Sequence, residues 1–456
     1  MHALDKELWE LGVPAKTKHN EVAPSQHELA PVFETANAAV DHNQLTMEVM
    51  KKVADRFGYA CLLHEKPFEG INGSGKHNNW SISTDTGENL LDPGKTPAEN
   101  LQFLVFLLAV ITAVDEYQEL LRISVATAGN DHRLGANEAP PAIISIFVGD
   151  ELAAVLQSIE EGTVFIGGGK TQMGMGAHVL PHIQKDTTDR NRTSPFAFTG
   201  NKFEFRMPGS SLSVANPNIV LNTAVAEALT QIYEKLAGVP EEKMEEAVHD
   251  VLRELLAAHK RILFNGNGYT DEWVEEAAKR GLANLKSLPD AMPEFITDKS
   301  IELFTKHQIF SREEVLSRYE ILLENYAKTI HIESLTLQEM VKKDFTAGLV
   351  RYMKDITNEA LKKKELLPDS RCSYENRILH RLDETSEQIL AALDLLGEDT
   401  KKAEQMDDLA AQAKYYQSVI LEEMEALRGW TDQAEAIIPD EYLPYPTYEQ
   451  MLFSLR

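Results

Sequence analysis

The run FLVFLLAVITAV, Phe103 to Val114, constrains the fold of this chain more than any other stretch. It is shorter than the roughly 20 apolar residues that a membrane-spanning helix needs. A helix that is apolar on all sides has to be enclosed by other protein. The run therefore reads as the buried part of a long helix from about Pro97 to Ile123. With 456 residues and 43% hydrophobic side chains, the chain has the material to bury such a helix in a sizeable core.

The texture changes along the chain. Up to about Ala237, short alternating segments mix with helices and with Gly, Asn and Pro turns. YACLLHEKP and AIISIFVG read as strands, and ETANAAVDHNQLTMEVMKKVADRFG has helical spacing with Gly58 as its stop. Beyond Ala237 the sequence is charged and mostly helical, with amphipathic segments suited to helical hairpins. The expected class is α+β: a curved, mainly antiparallel sheet flanked by helices over residues 1–237, then a helical region over 238–456.

A formal net charge of −27 argues against nucleic acid or an anionic membrane as partner. Any anionic substrate needs a local basic cluster or a metal ion. The two cysteines, Cys61 and Cys372, provide neither a disulfide framework nor a cysteine zinc site. MHALDKELWELG is charged too early for a secretory signal, so a cytoplasmic location is expected.

Two alternating segments carry the chemistry. In a strand, residues two apart face the same side. KHNNWSIS puts His77, Asn79, Ser81 and Ser83 on one face and Asn78, Trp80 and Ile82 on the other. NKFEFRMP puts Lys202, Glu204 and Arg206 opposite Phe203, Phe205 and Met207. Each strand alone could be no more than a half-exposed sheet with a solvated side. Glu21 and Glu28 flank Pro24, which excludes one continuous helix, and a turn at Pro24-Ser25 would let both converge. Two converging carboxylates need a cation between them or a shared proton. Mg²⁺ or Mn²⁺ suits carboxylates, and a histidine leans the choice toward Mn²⁺. Arg133, Glu138, Arg190 and Arg192 lie in polar loops, where arginine forks can meet carboxylate or phosphate. FIGGGKTQMGMG is not a P-loop, because Val164 stands where the motif needs glycine.

The ordered segments EVAPSQHE, NGSGKHNNWSIS, RLGANEAP, DRNRTSPFAF and NKFEFRMPGSSLSVANP together resemble the catalytic core of the glutamine synthetase family. The wording of the second and fourth, and the tail YPTYEQMLFSLR, is similar to its type III branch. The resemblance implies ATP-dependent joining of ammonium to L-glutamate through an acyl phosphate. Glu21 and Glu28 would hold one divalent ion, and His77 and Glu204 a second, as Mg²⁺ or Mn²⁺. Asn72, Gly73 and Arg133 would bind glutamate. Glu138 would take a proton from ammonium, and Arg192 and Arg206 would neutralise the transferred phosphoryl group. His19, Ser81 and Lys202 fall near the ATP positions. The family also implies a homo-oligomeric ring.

The family's site further uses a Glu-x-Glu pair on an upstream strand. The residues before Glu21 offer none in a strand context, since Glu7 and Glu10 lie in DKELWELG. Each ion is then left with two of its three protein ligands. The expectation is a C-terminal catalytic portion of a type III enzyme, without the small N-terminal β domain. Two alternatives stay open: a non-catalytic assembly or regulatory module, and a ligase for an amine larger than ammonia.

Overall fold

A computed structural model describes residues 1–68, 70–163, 193–447 and 450, together with the backbone of 172–173 and 183–184. The chain divides into two compact units, Met1–Leu316 and Ser317–Arg456. The compositional change near Ala237 therefore falls inside the first unit.

That unit opens with α1 (His2–Glu10), strands β1 (Ala15–Asn20) and β2 (His27–Pro31), and helix α2 (Ala36–Arg56). Strands β1 and β2 form an antiparallel hairpin. Leu4, Leu8, Val13, Val49 and Val53 pack α1 against α2 beside it. Gly58, at φ +75°, ends α2 in the left-handed region. The segment read as a strand at YACLLHEKP forms no strand. It runs as irregular backbone toward β3 (Asn78–Trp80).

The apolar run forms α3 (Leu101–Glu116), with Phe103, Leu104 and Leu107 through Asp115 buried. The expected single helix is broken. Asn100 caps α3 by accepting a hydrogen bond from the Phe103 amide at 3.1 Å, and Tyr117 leaves the helical region before α4 (Gln118–Ile123). Next come α5 (Ala128–Asp131), β4 (Ile146–Phe147), α6 (Gly149–Glu161), the pair β5 (Gln172–Met173) and β6 (Ile183–Gln184), β7 (Phe196–Phe198), β8 (Phe203–Phe205), α7 (Ala215–Leu236) and α8 (Met244–His259). Helix α3 packs on α7 and α8.

The main sheet has the order β3-β8-β7-β4. Strands β3/β8 and β8/β7 are antiparallel, and β4 joins β7 in parallel. One face is aromatic. Phe196 stacks on Phe203 at 4.9 Å between centroids, Phe203 meets Phe198 edge-on at 5.2 Å, and Phe198 reaches Phe103 of α3 at 5.9 Å. The alternation thus works as read. Trp80, Phe203, Phe205 and Met207 are buried, and Asn79 lies directly across from Glu204 on the other side. Burying the apolar face against α3 leaves the polar face for chemistry.

The first unit ends with α9 (Asp271–Lys279), α10 (Leu288–Ala291), α11 (Asp298–Lys306) and the first turn of α12 (Arg312–Glu339); the second is helical, with the rest of α12, α13 (Thr346–Leu366), α14 (Ser373–Glu404), α15 (Leu409–Tyr415) and α16 (Leu421–Glu435). Helix α14 packs against α13 and α16, and Leu382, Ile389, Leu396, Ile420 and Leu427 are buried. The hairpin reading of this region holds. No helix among the described residues is long and apolar enough to cross a membrane.

The aromatic stack gives a direct test. Phe203→Ala removes a fully buried ring from the layer between sheet and α3. It should cost about 3–5 kcal/mol, read as a lowered midpoint in denaturant with an unchanged slope.

Candidate functional site

The first group of donors is built by the β1–β2 hairpin. His19 lies directly across from Glu28. The Glu21 amide donates to the Gln26 carbonyl at 3.0 Å, and Ser25 at φ +53° closes the turn. Glu21 and Glu28 therefore converge through the turn that Pro24 and Ser25 form. His19 sits between them, with Nε2 at 2.6 Å from Glu21 Oε1 and 3.1 Å from Glu28 Oε2. Burial pushes the Glu28 carboxyl above its usual range, and the hydrogen bond and charge of Glu21 add to that; His77 and His19 oppose it.

The second group sits on the polar face of the main sheet. His77 Nδ1 is 2.9 Å from Glu204 Oε1. Arg206 grips the other oxygen, with Nε at 3.0 Å and Nη2 at 2.9 Å from Glu204 Oε2. Burial alone would raise the Glu204 pKa. The bonds and charges of His77 and Arg206 outweigh it and hold the carboxyl at about 2. Arg206 itself is buried.

The NGSG turn joins these groups. Gln26 Nε2 donates to the Gly73 carbonyl at 3.1 Å and to Ser74 Oγ at 3.2 Å, which ties the hairpin to the turn. The Ser74 amide donates to the Glu65 carbonyl at 2.7 Å. Asn72 and Gly73 are half-buried. Arg133 runs beneath the turn. Its Nη1 donates to the carbonyls of Met207 (3.1 Å) and Pro208 (3.3 Å), and Nη2 to that of Arg206 (3.2 Å). Gly75 has no alternative there, because a Cβ would lie 2.0 Å from Arg133 Nη2.

Two residues under the turn escaped the sequence reading. Glu65 is buried and accepts hydrogen bonds from the amide and hydroxyl of Ser211. Lys76 donates to the carbonyls of Ser210 and Leu212, and burial lowers its amine to about 8, against the pull of Glu65. Burial lowers Arg133 to about 10, again with Glu65 opposing. Glu65 is thus the buried counter-charge to both cations. The only sequence signal was a charge inside a segment that read as a strand.

The remaining expected residues lie apart. Glu138 is exposed in the left-handed region at φ +67°, following Asn137 at φ +53°, in a loop that Gly135 closes by donating to the Pro140 carbonyl at 3.0 Å. Such backbone is costly for a residue with a side chain and is held by its surroundings. At the other end of β3 and β8, Ser81 Oγ donates to Asn89 Oδ1 at 2.6 Å, and Lys202 is half-buried in the turn after β7. Arg190, Arg192 and most of the FIGGGKTQMGMG segment lie outside the described residues.

His19, Glu21 and Glu28 bring three donor atoms within 4.8 Å of one another, and carboxylate oxygens with an imidazole nitrogen suit Mg²⁺ or Mn²⁺. Asp115, Glu116 and His259 are gathered as closely. There, however, Arg261 Nε bonds Asp115 at 2.8 Å and Lys299 Nζ bonds Glu116 at 2.5 Å. Protein cations already neutralise that cluster, which locks the end of α3.

Comparison with known proteins follows this geometry. Residues 1–127 match the family model described as glutamine synthetase, catalytic domain, and residues 247–364 match the glutamine synthetase C-terminal domain. The chain is 64% identical over its whole length to a glutamine synthetase of Butyrivibrio fibrisolvens, covering 65% of that protein. It is 44% identical over 98% of its length to a type-3 glutamine synthetase of Dictyostelium discoideum (61% of that protein). It is 41% identical over its whole length to a glutamine synthetase of Bacteroides fragilis (64% of that protein). The chain thus spans somewhat under two thirds of the length of these relatives.

The Glu204 clamp has a pH signature. Its folded pKa lies below the unfolded value of 4.5, so its contribution is complete above pH 4.5 and is lost as pH falls toward 2. Without added divalent ions, wild type should lose on the order of 3 kcal/mol of stability over that window through this group. Glu204→Gln should lack that part of the acid limb, as read by denaturant melts at stepped pH.

Proposed function

The chain belongs to the glutamine synthetase family, and on that premise we propose that its site joins ammonia to L-glutamate at the expense of ATP, through a γ-glutamyl phosphate. What supports this reading is that Gln26 ties the carboxylate-bearing hairpin to the NGSG turn, and that the His77–Glu204–Arg206 clamp begins where the turn leads into β3.

A carboxylate is a poor electrophile, and phosphorylating it gives ammonia something to attack. That step crowds glutamate, the nucleotide phosphates and the transferred group together, so their repulsion must be offset. Glu21 with Glu28, and His77 with Glu204, would hold divalent ions, Mg²⁺ or Mn²⁺, whose positive charge supplies most of that offset. Arg206, fixed by Glu204, would offset the charge of the phosphoryl group, with Arg192 in the same role. Asn72 and Gly73 would bind glutamate, and the charge of Arg133 would act on the α-carboxylate through the side-chain-free turn above it. Glu138, on its strained loop, would accept the proton that ammonium must lose before it can attack. Ser81 and Lys202 would face the nucleotide from the far end of β3 and β8. Large exposed apolar side chains such as Phe33, at 93% exposure, together with Trp9 and Phe57, support assembly with further copies.

The test is glutamine formation by the purified 456-residue chain from glutamate, ammonium and ATP, with Mg²⁺ and then Mn²⁺. Product is expected, and Glu204→Gln should lower kcat by a factor of about 100 or more. An inactive wild type would reject the reading for this chain by itself. Equal activity of the variant would remove Glu204 from the site.

A further inference from the structure

Glu65 does more than balance charge. We propose that Glu65 is a positioning residue for the amino-acid substrate: it fixes the Asn72–Gly73 turn over Arg133, so that affinity for L-glutamate depends on a carboxylate buried below the turn. This rests on the glutamate-binding reading above and adds a residue to it.

The argument starts from what Glu65 holds. It is 3% exposed. Its main-chain carbonyl accepts from the Ser74 amide at 2.7 Å, and the next residue, Lys66, donates through Nζ to the Ile71 carbonyl. Residues 65 and 66 thus hold the turn at both ends. The Glu65 side chain holds a different segment. Its Oε1 accepts from the Ser211 amide at 2.9 Å and from the Ser211 hydroxyl. Ser211 follows the carbonyls of Arg206, Met207 and Pro208, which take up the guanidinium of Arg133. The two segments also meet directly, through a bridge between Gly75 and Gly209 and the bond from the Lys76 amide to the Pro208 carbonyl at 2.8 Å. One residue therefore ties the turn to the segment that seats Arg133.

The packing leaves these parts little room to move independently. A Cβ on Gly73 would lie 2.5 Å from the Glu65 carbonyl oxygen and 3.2 Å from Arg133 Cγ, and one on Gly75 would lie 2.0 Å from Arg133 Nη2. Around the carboxylate, a Cβ on Gly129 would lie 2.7 Å from Oε2 and one on Gly209 2.5 Å from Oε1. In so dense an interior a displaced side chain shifts its neighbours. The charges supply the force. Burial disfavours the charge of Arg133 and of Lys76, Glu65 supports both, and Arg133 opposes the charge of Lys76. Without Glu65 that repulsion is no longer offset, and any shift of Arg133 is passed to the backbone of Gly73 and Gly75. The effect should fall on L-glutamate and not on the nucleotide, since Ser81 and Lys202 lie at the other end of β3 and β8.

The experiment is steady-state kinetics of the full chain with L-glutamate and ATP varied separately, beside calorimetric titration with L-glutamate. Glu65→Gln keeps the size of the side chain and an acceptor for the Ser211 amide, and removes only the charge. The KM for L-glutamate should rise about tenfold or more, while kcat at saturating glutamate and the KM for ATP stay within about threefold of wild type. Glu65→Asp keeps the charge but withdraws it from Ser211, and should fall between wild type and Glu65→Gln. A role in folding alone would lower the denaturant midpoint and leave the KM for L-glutamate unchanged, and that result would overturn the proposal. So would an equal rise in the KM for ATP. If Glu65→Gln does not fold, Glu65→Asp decides: a raised KM for L-glutamate alone supports the proposal, and an unchanged one overturns it. If the wild type forms no glutamine yet binds L-glutamate, the ligase reading falls and the same comparison is read as Kd. If it binds no L-glutamate, both fall.

Discussion

The carboxylate of Glu204 joins parts of the molecule that would otherwise be independent. One oxygen meets His77 and the other meets Arg206, so strands β3 and β8 are linked by side chains as well as by their backbone ladder. The link lies in a partly buried place where an unpaired charge would be expensive. Its three members are therefore interdependent. Removing the glutamate would strand a buried guanidinium, and removing either of its partners would weaken what offsets burial at the carboxyl. The clamp stands on the polar face because the aromatic stack fills the opposite one and α3 closes it off. The most apolar helix in the sequence thus decides which side of the sheet is available for chemistry.

A second buried charge group stands under the NGSG turn. Glu65 faces Arg133 and Lys76, and the carbonyls of residues 206–212 take up most of the donors of those two cations. Charge this deep requires close approach of side chain to backbone, which explains the glycines. A Cβ on Gly75 would collide with Arg133, and one on Gly209 would lie 2.5 Å from Glu65 Oε1. Gly75 and Gly209 are thus constrained by the side chains packed against them. The turn is held from outside by the Glu65 carbonyl and by Gln26, which reaches the Gly73 carbonyl and the Ser74 hydroxyl.

The alternations in NKFEFRMP and KHNNWSIS were legible because period-two patterning reports burial directly. Phe203, Phe205 and Trp80 are buried, while Glu204 and Asn79 face each other on the other side. The convergence of Glu21 and Glu28 was legible from Pro24 alone, since a proline leaves few ways to continue. The strand expected at YACLLHEKP failed because its apolar residues do not pair with a neighbour. The backbone there serves Glu65, which reaches Ser74 and Ser211 from it. The long helix expected over Pro97–Ile123 failed at Tyr117, where Lys299 lies 4.8 Å from the ring centroid and bonds Glu116. Glu65 and His19 share the deeper reason. Their partners are Ser211, Arg133 and Lys76 in one case and a cross-strand glutamate in the other, and such pairings depend on register and tertiary approach that local patterning does not encode.

The overall charge of −27 sets the problem that the site has to solve. In the proposed ligation glutamate and the nucleotide would approach against the field of the whole chain. Arg133 and Lys76 do not reverse this locally, because Glu65 and backbone carbonyls already claim them. Arg206 is partly spent on Glu204. On the hairpin, burial raises the Glu28 carboxyl, and the hydrogen bond and charge of Glu21 add to that. A divalent ion removes both difficulties at once. In the proposed ligation a divalent ion there would cancel the charge of the two carboxylates, so that the anions would no longer meet like charge on the hairpin. In the proposed ligation the cation would bind before the anions, because they would need its charge. In the proposed ligation the protein's role before any chemistry is therefore to convert a cluster of like charges into an anion site, and the β1–β2 hairpin performs that conversion.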